Sequence, residues 1–213
     1  QKCTSAEVLR ACINYTFDQD SPSLRQWACF CISQIWESNT DAKWLAINDN
    51  ILEQLARLLV DPVPEIRTAC VIAFSTDLGK GTPDELIPEE IKSQEIKLAQ
   101  TILPLANDGS FLVRREVMVF FSHFVKQYLS QMLICAFTSL EDEAVLLNSY
   151  VPNTSSTYGS PAEGTVFNNV WRSLLIASED PYPEVAQFAQ LIVDYILDLF
   201  ESTVLNAFLN KLE

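Results

Sequence analysis

The chain of 213 residues carries 14 Lys and Arg against 28 Asp and Glu, a net charge of −14, with 48% apolar residues, five Gly and one His. The apolar fraction excludes a disordered acidic chain, and the length suffices for a sizeable core or a short array of repeats. The charge argues against a nucleic-acid backbone or an anionic membrane as main partner, because both are bound largely through Lys and Arg.

In chain order, Gln1 stands where an initiator Met would, so a segment of a longer protein is expected. No targeting segment is visible, and no uncharged run is long and apolar enough to span a bilayer. Thr4 and Glu7 have the spacing of a capping box for a first helix over Ser5 to Phe17. Further first-of-pair helices are predicted at Asp49 to Val60, Ser93 to Ala106 and Val166 to Ser178, the second with a stripe of Ile51, Leu52, Leu55, Leu58 and Leu59. Each is followed by a similar stretch: Asp20 to Arg25, Asp61 to Arg67, Asp108 to Arg114 and Asp180 to Ala186. The shared pattern is an acid, a turn, usually a Pro, an aliphatic residue and usually an Arg.

The steps from Arg25 to Arg67 and on to Arg114 are 42 and 47 residues, and from Arg114 to Ala186 the step is 72, one period plus an insertion. A period of about 40 to 47 with two helices per unit is the signature of HEAT-type repeats. Third after the Arg position come Ala28, Cys70, Val117 and Ala189, and seventh come Ile32, Phe74, Phe121 and Val193, one apolar stripe of a second helix. Pro22, Pro64 and Pro183 suit a first helical position, and Glu65 and Glu184 suit the first turn.

The expected architecture is all-α: one α-solenoid of about four two-helix units, at about 4–38, 48–78, 93–126 and 165–198, with an extra helix at 127–147, a mobile loop at 148–165 and a terminal helix at 202–213. Gly79 to Glu90 reads as an exposed connection. From Gln127 to Glu213 the basic residues are Arg172 and Lys211 alone, against eleven acids, which reads as a solvated acidic surface or, more sharply, as a docking face for a basic partner.

Stacking would bring the recurring acids and arginines into a line. Asp20, Asp61 and Asp108 are therefore expected within reach of Arg25, Arg67 and Arg114 as a structural ladder of charge-assisted hydrogen bonds, ending or changing at Ala186. Catalytic, metal and cofactor sites find little footing. His123 occupies a helix position held by Gln34, Thr76 and Tyr195 in the other units. The cysteines show no CxxC pair and read as small buried hydrophobes, with Cys29 and Cys31 pointing apart on a helix. Glu141, Asp142 and Glu143 splay around a helix as a solvated run. A transport-receptor solenoid that cradles basic peptides is the alternative reading, but its cue, Trp44 with Asn48, does not recur one period later.

Ser21-Pro22-Ser23-Leu24-Arg25-Gln26-Trp27 running to Ile35-Trp36, with Ala42-Lys43-Trp44, closely resembles the first central helical repeat of the Raptor family, the scaffold partners of the target-of-rapamycin kinase. The resemblance continues through Leu59 to Arg67, through Asp108 to Ser110 with Val113 to Glu116 and Phe121 to His123, and ends with Val170-Trp171-Arg172 and Asp180 to Val185. It implies a non-catalytic scaffold that packs on the helical region of the kinase and helps recruit substrates bearing a short signalling motif. It further implies a caspase-like domain before this region, a WD propeller after it, and a cytoplasmic location with recruitment to the lysosomal or vacuolar membrane. Family members can carry a long Ser-rich insertion before the last repeat; here the corresponding span holds Ser160-Pro161, a low-ranking phosphosite candidate at Ser160.

Overall fold

The computed structural model describes residues 5–37, 39, 42, 45, 49–78, 88–148 and 165–209, the side chains of 5, 77, 140–148 and 203–209 excepted. All regular elements among them are helical. Helix α1 (Ser5–Tyr15) leads by a turn into α2 (Pro22–Glu37), α3 (Ile51–Ala56) tightens into a 3₁₀ turn over Arg57–Val60 before α4 (Pro64–Asp77), and α5 (Glu89–Ile102) does the same over Leu103–Asn107 before α6 (Phe111–Gln127). Then follow α7 (Leu129–Asn148), α8 (Val166–Ala177) and α9 (Pro183–Leu209).

Proline starts α2, α4 and α9, where its fixed φ favours the first turn and its missing N–H would have had no partner. Thr165 caps α8, its hydroxyl accepting the Asn168 N–H at 3.3 Å. Helix α3 is entered through Asn50 in the left-handed region (φ 53°), which asparagine tolerates better than most residues. Helix α5 begins at Glu89, four residues before the predicted start: Pro88 precedes it, and Glu89 and Glu90 fill the dipole-favoured first turn.

The helices fall into two compact units, Gln1–Gln127 and Tyr128–Glu213. In the first, α2 packs on α4 and α4 on α6, while α1, α3 and α5 lie against these second helices. Ala28, Cys29, Ala69, Cys70 and Ala73 are all buried, and side chains this small let α2 and α4 approach closely. Trp36, Phe74 and a cluster of Phe120, Phe121 and Phe124 fill the rest, the rings of Phe120 and Phe124 stacked at 6.4 Å. The outer helices add exposed ion pairs one repeat apart, Arg10–Asp49 at 2.8 Å and Lys97–Glu53 at 2.5 Å, whose attraction solvent largely screens.

In the second unit α7, α8 and α9 pack mutually. The extra helix is thus a full third member, joined through Tyr128 against Phe167 and Phe137 against Phe200, each at 5.6 Å between ring centres. The predicted separate terminal helix at 202–213 is also corrected. Helix α9 continues unbroken past Asp198, because no Gly or Pro interrupts it and the Ser202 hydroxyl bonds back to the Asp198 carbonyl at 2.8 Å. The loop expected at 148–165, all but its two ends, most of the 79–90 connection, and Thr4, Trp44, Asn48 and Ser160 lie outside the described residues.

The cysteines divide by exposure. Cys29 and Cys70 are buried, Cys12 and Cys135 are half-buried, and Cys31 is exposed, contrary to the uniform burial expected from its apolar surroundings. Burial, reinforced by the nearby Asp61 carboxylate, pushes the Cys29 thiol up to about 12. Burial likewise pushes Cys70 well above its ordinary value, and its Sγ donates to the Leu55 carbonyl at 3.3 Å. A water-soluble maleimide is therefore expected to modify Cys31 first among these, with Cys29 and Cys70 reacting only on unfolding; early labelling of Cys70 in peptide mass maps would contradict this packing.

Candidate functional site

The repeat motif builds one chain of contacts. Arg25, at the start of α2, donates from Nη1 to the Asp18 carbonyl of its own turn at 2.8 Å. Its other edge reaches Asp61 of the next turn, Nε to Oδ2 at 2.9 Å and Nη2 to Oδ1 at 3.3 Å. Arg67 repeats this one period later: Nη1 donates to the Asp61 carbonyl at 2.7 Å, while Nε and Nη2 meet Asp108 at 2.8 and 2.7 Å. Arg114 then donates to the Asp108 carbonyl at 2.7 Å. Each aspartate also accepts a backbone N–H of its turn, Val63 on Asp61 at 2.9 Å and Ser110 on Asp108 at 2.8 Å. One planar guanidinium thus ties its own turn to the neighbour's, the fork geometry in which arginine outperforms lysine.

Burial alone would push the Asp108 carboxyl up. The Arg67 guanidinium, helped by the Ser110 N–H, outweighs it and holds the group below the ordinary carboxylate value. Of the residues expected in the ladder, the structure brings together Arg25 with Asp61 and Arg67 with Asp108, and places Arg114 on the Asp108 turn. Asp20 is a correction. It is exposed, and Asp18 holds the equivalent place, its Oδ1 accepting Asp20 N–H at 3.1 Å and Ser21 N–H at 2.7 Å. The first turn is one residue longer than the others, which moves the equivalent acid back from Asp20. In the fourth turn Asp180 accepts the Tyr182 N–H at 2.9 Å, while Ala186 stands where the arginine would be.

The ladder orients a surface. Counting from each arginine, the first, fifth and ninth residues share one helix face: Gln26, Phe30 and Gln34 on α2, Thr68, Ile72 and Thr76 on α4, and Arg115, Val119 and His123 on α6. The middle member is half-buried and apolar in each. Beside them Trp27 stands 64% exposed, its ring edge-on to Phe30 at 5.7 Å. His123 joins neighbouring repeats, its Nδ1–H donating to the Ser75 carbonyl of α4 at 3.3 Å. Glu116 lies half-buried near this face, and burial pushes its carboxyl up despite the Arg115 charge alongside. Such a face, apolar in the middle and polar around it, suits protein contact. Among the described residues no three His, Cys, Asp or Glu side chains are grouped to hold a metal ion, and no helix is long and apolar enough to cross a membrane. The side chains of Glu141, Asp142 and Glu143 lie outside the description.

No family model matches the chain. It is similar to the target of rapamycin complex 1 subunit mip1 of Schizosaccharomyces pombe, 36% identical over 91% of this chain and 14% of that protein. It is similar also to the complex 1 subunit KOG1 of Saccharomyces cerevisiae, 27% identical over 92% of this chain and 17% of that protein. The chain thus spans about one-seventh of the length of the curated relatives it matches. Among solved structures it resembles Chaetomium thermophilum Raptor at a TM-score of 0.77 and 33% identity, over 96% of this chain and 18% of that one. An engineered protein at 15% identity and a TM-score of 0.57 shares the helical fold.

The ladder geometry makes three predictions. Arg67→Met removes the forked partner of the part-buried Asp108 carboxylate, leaving it the Ser110 N–H and the Arg114 charge, and is expected to cost about 2 kcal/mol in chemical denaturation. Because Asp108 is held below its unfolded value of about 3.9, its contribution is present above that pH and lost as the pH falls through the folded value, so Asp108→Asn should flatten the acid limb of the melting profile. At the first turn, Asp18→Ala should cost about 1 kcal/mol through loss of two accepted N–H bonds, while Asp20→Ala stays within about 0.5 kcal/mol; the reverse order in thermal melts would restore Asp20 to the ladder.

Proposed function

We infer that this chain, homologous over about nine-tenths of its length to the Raptor-type subunits of target of rapamycin complex 1, is a non-catalytic scaffold segment of that complex. In this reading it binds the helical region of the target-of-rapamycin kinase and helps recruit substrates bearing a short signalling motif for nutrient-dependent growth signalling. The observation that carries it is the 36% identity to a complex 1 subunit over 91% of the chain, joined to the same helical architecture as Raptor.

The physical case is consistent with a scaffold. A stack held by buried guanidinium–carboxylate pairs offers neighbouring helix faces in fixed register, so a partner meets a preorganised surface and spends little on ordering it. The location that goes with this role is cytoplasmic, with recruitment to the lysosomal or vacuolar membrane through partners. The parent chain supplies a caspase-like domain before this region and a WD propeller after it.

Affinity capture of the full-length parent protein from cell extract is expected to bring down the target-of-rapamycin kinase, detected by immunoblot and by kinase activity on the beads. Absence of the kinase under conditions that preserve the complex would sink the reading.

A further inference from the structure

Helix α9 carries a face that the packing of its unit leaves open. Val185, Ala189, Ile192, Val193 and Ile196 are buried, which turns Glu184, Gln187, Leu191, Asp194, Tyr195 and Asp198 outward as a second stripe at helical spacing. Leu191 is 65% exposed and Tyr195 41%, four residues apart and therefore side by side. The charges that α9 itself carries here are all negative: Glu184, Asp194, Asp198 and Glu201 are exposed acids, and the helix contains no Lys or Arg. Asp194 and Asp198 are like charges at the i,i+4 spacing, which weakens a helix unless cations offset them. The Gln190 amide, a neutral donor, bonds to Asp194 Oδ1 at 2.7 Å. The second unit contributes Arg172, on α8, and Lys211, which lies outside the described residues.

These features select an occupant. A second copy of this chain carries −14 itself and is repelled. An anionic lipid surface or a nucleic-acid backbone is repelled for the same reason. A cationic amphipathic helix satisfies both halves of the face, its apolar residues at i, i+3 and i+4 straddling Leu191 and Tyr195 and its Lys or Arg flank meeting the row of acids along one side. We propose that the outward face of α9, centred on Leu191 and Tyr195 and rimmed by Glu184, Asp194, Asp198 and Glu201, docks a basic amphipathic helix of a protein partner. Docking gives the like-charged row counterions and covers the exposed pair. This inference does not rest on the kinase reading: kinase capture can fail while this face binds, and the face can be inert in a chain that captures the kinase.

The test uses the full 213-residue chain and two fluorescein-labelled helical peptides with leucines at the same spacing, one with lysines and the other with glutamates between them. The lysine peptide is expected to raise fluorescence anisotropy at low salt, with affinity falling as salt increases, while the glutamate peptide does not bind. Leu191→Ala and Tyr195→Ala should each weaken binding about tenfold, and the pair Asp194→Asn with Asp198→Asn should slow association about tenfold and flatten its salt dependence, while Asp20→Asn in the first unit changes nothing. Hydrogen–deuterium exchange of the unaltered chain gives a readout independent of variant folding, with slowed exchange over 184–202 on adding the lysine peptide. Failure of the lysine peptide to bind at low salt, equal binding of the glutamate peptide, unchanged affinity in the α9 variants, or protection confined to other helices would each overturn the proposal.

Discussion

Register between repeats is set by the reach of one guanidinium. Arg25 and Arg67 each spend one nitrogen on the carbonyl of their own turn and a two-pronged edge on the carboxylate of the next. A slide of one helical residue, about 1.5 Å, would break these contacts together while leaving the apolar contacts nearly intact. Hydrophobic burial holds α2, α4 and α6 side by side, but it is indifferent to small shifts along the helix axes. The polar ladder is not: its Arg25–Asp61 step is buried and its Arg67–Asp108 step part-buried, which makes an unmade bond expensive. The small residues at the α2–α4 seam serve the same end, since a larger side chain there would hold the two turns beyond arginine's reach.

The fourth motif shows what happens without the arginine. Its turn keeps the aspartate with the same backbone bond, yet Ala186 offers no fork. Packing in this unit takes another form, with α7 joining the α8–α9 pair through aromatic contacts. A three-helix cluster depends less on one polar joint, because each helix has two neighbours over which to bury its apolar stripe.

The ladder was legible in the sequence because its parts recur at a near-constant period and in one order: acid, turn, arginine. Asp18 and Asp20 are not told apart by the pattern, because both belong to a first turn that is one residue longer, and only the backbone path decides which carboxylate can accept the turn's N–H groups. Helix boundaries were blurred where no strong stop exists. Nothing between Asp198 and Thr203 breaks a helix, so a continuous α9 and two abutting helices share one pattern of apolar residues. The exposure of Cys31 and of the Leu191–Tyr195 pair was hidden for a different reason. An apolar residue on a helix looks the same in sequence whether or not a neighbour covers it, and coverage is a property of the stack.

The chain's one histidine closes a bond between two repeats. Ser75 lies in the last turn of α4, where carbonyls have no partner within the helix, and the His123 imidazole of α6 fills one of them from the adjacent layer. A single imidazole at a single seam is a built-in spectroscopic probe. Its ring-proton resonances are the chain's sole histidine signals, so without any label they report whether α4 and α6 keep their spacing when the scaffold is bent, cut or bound.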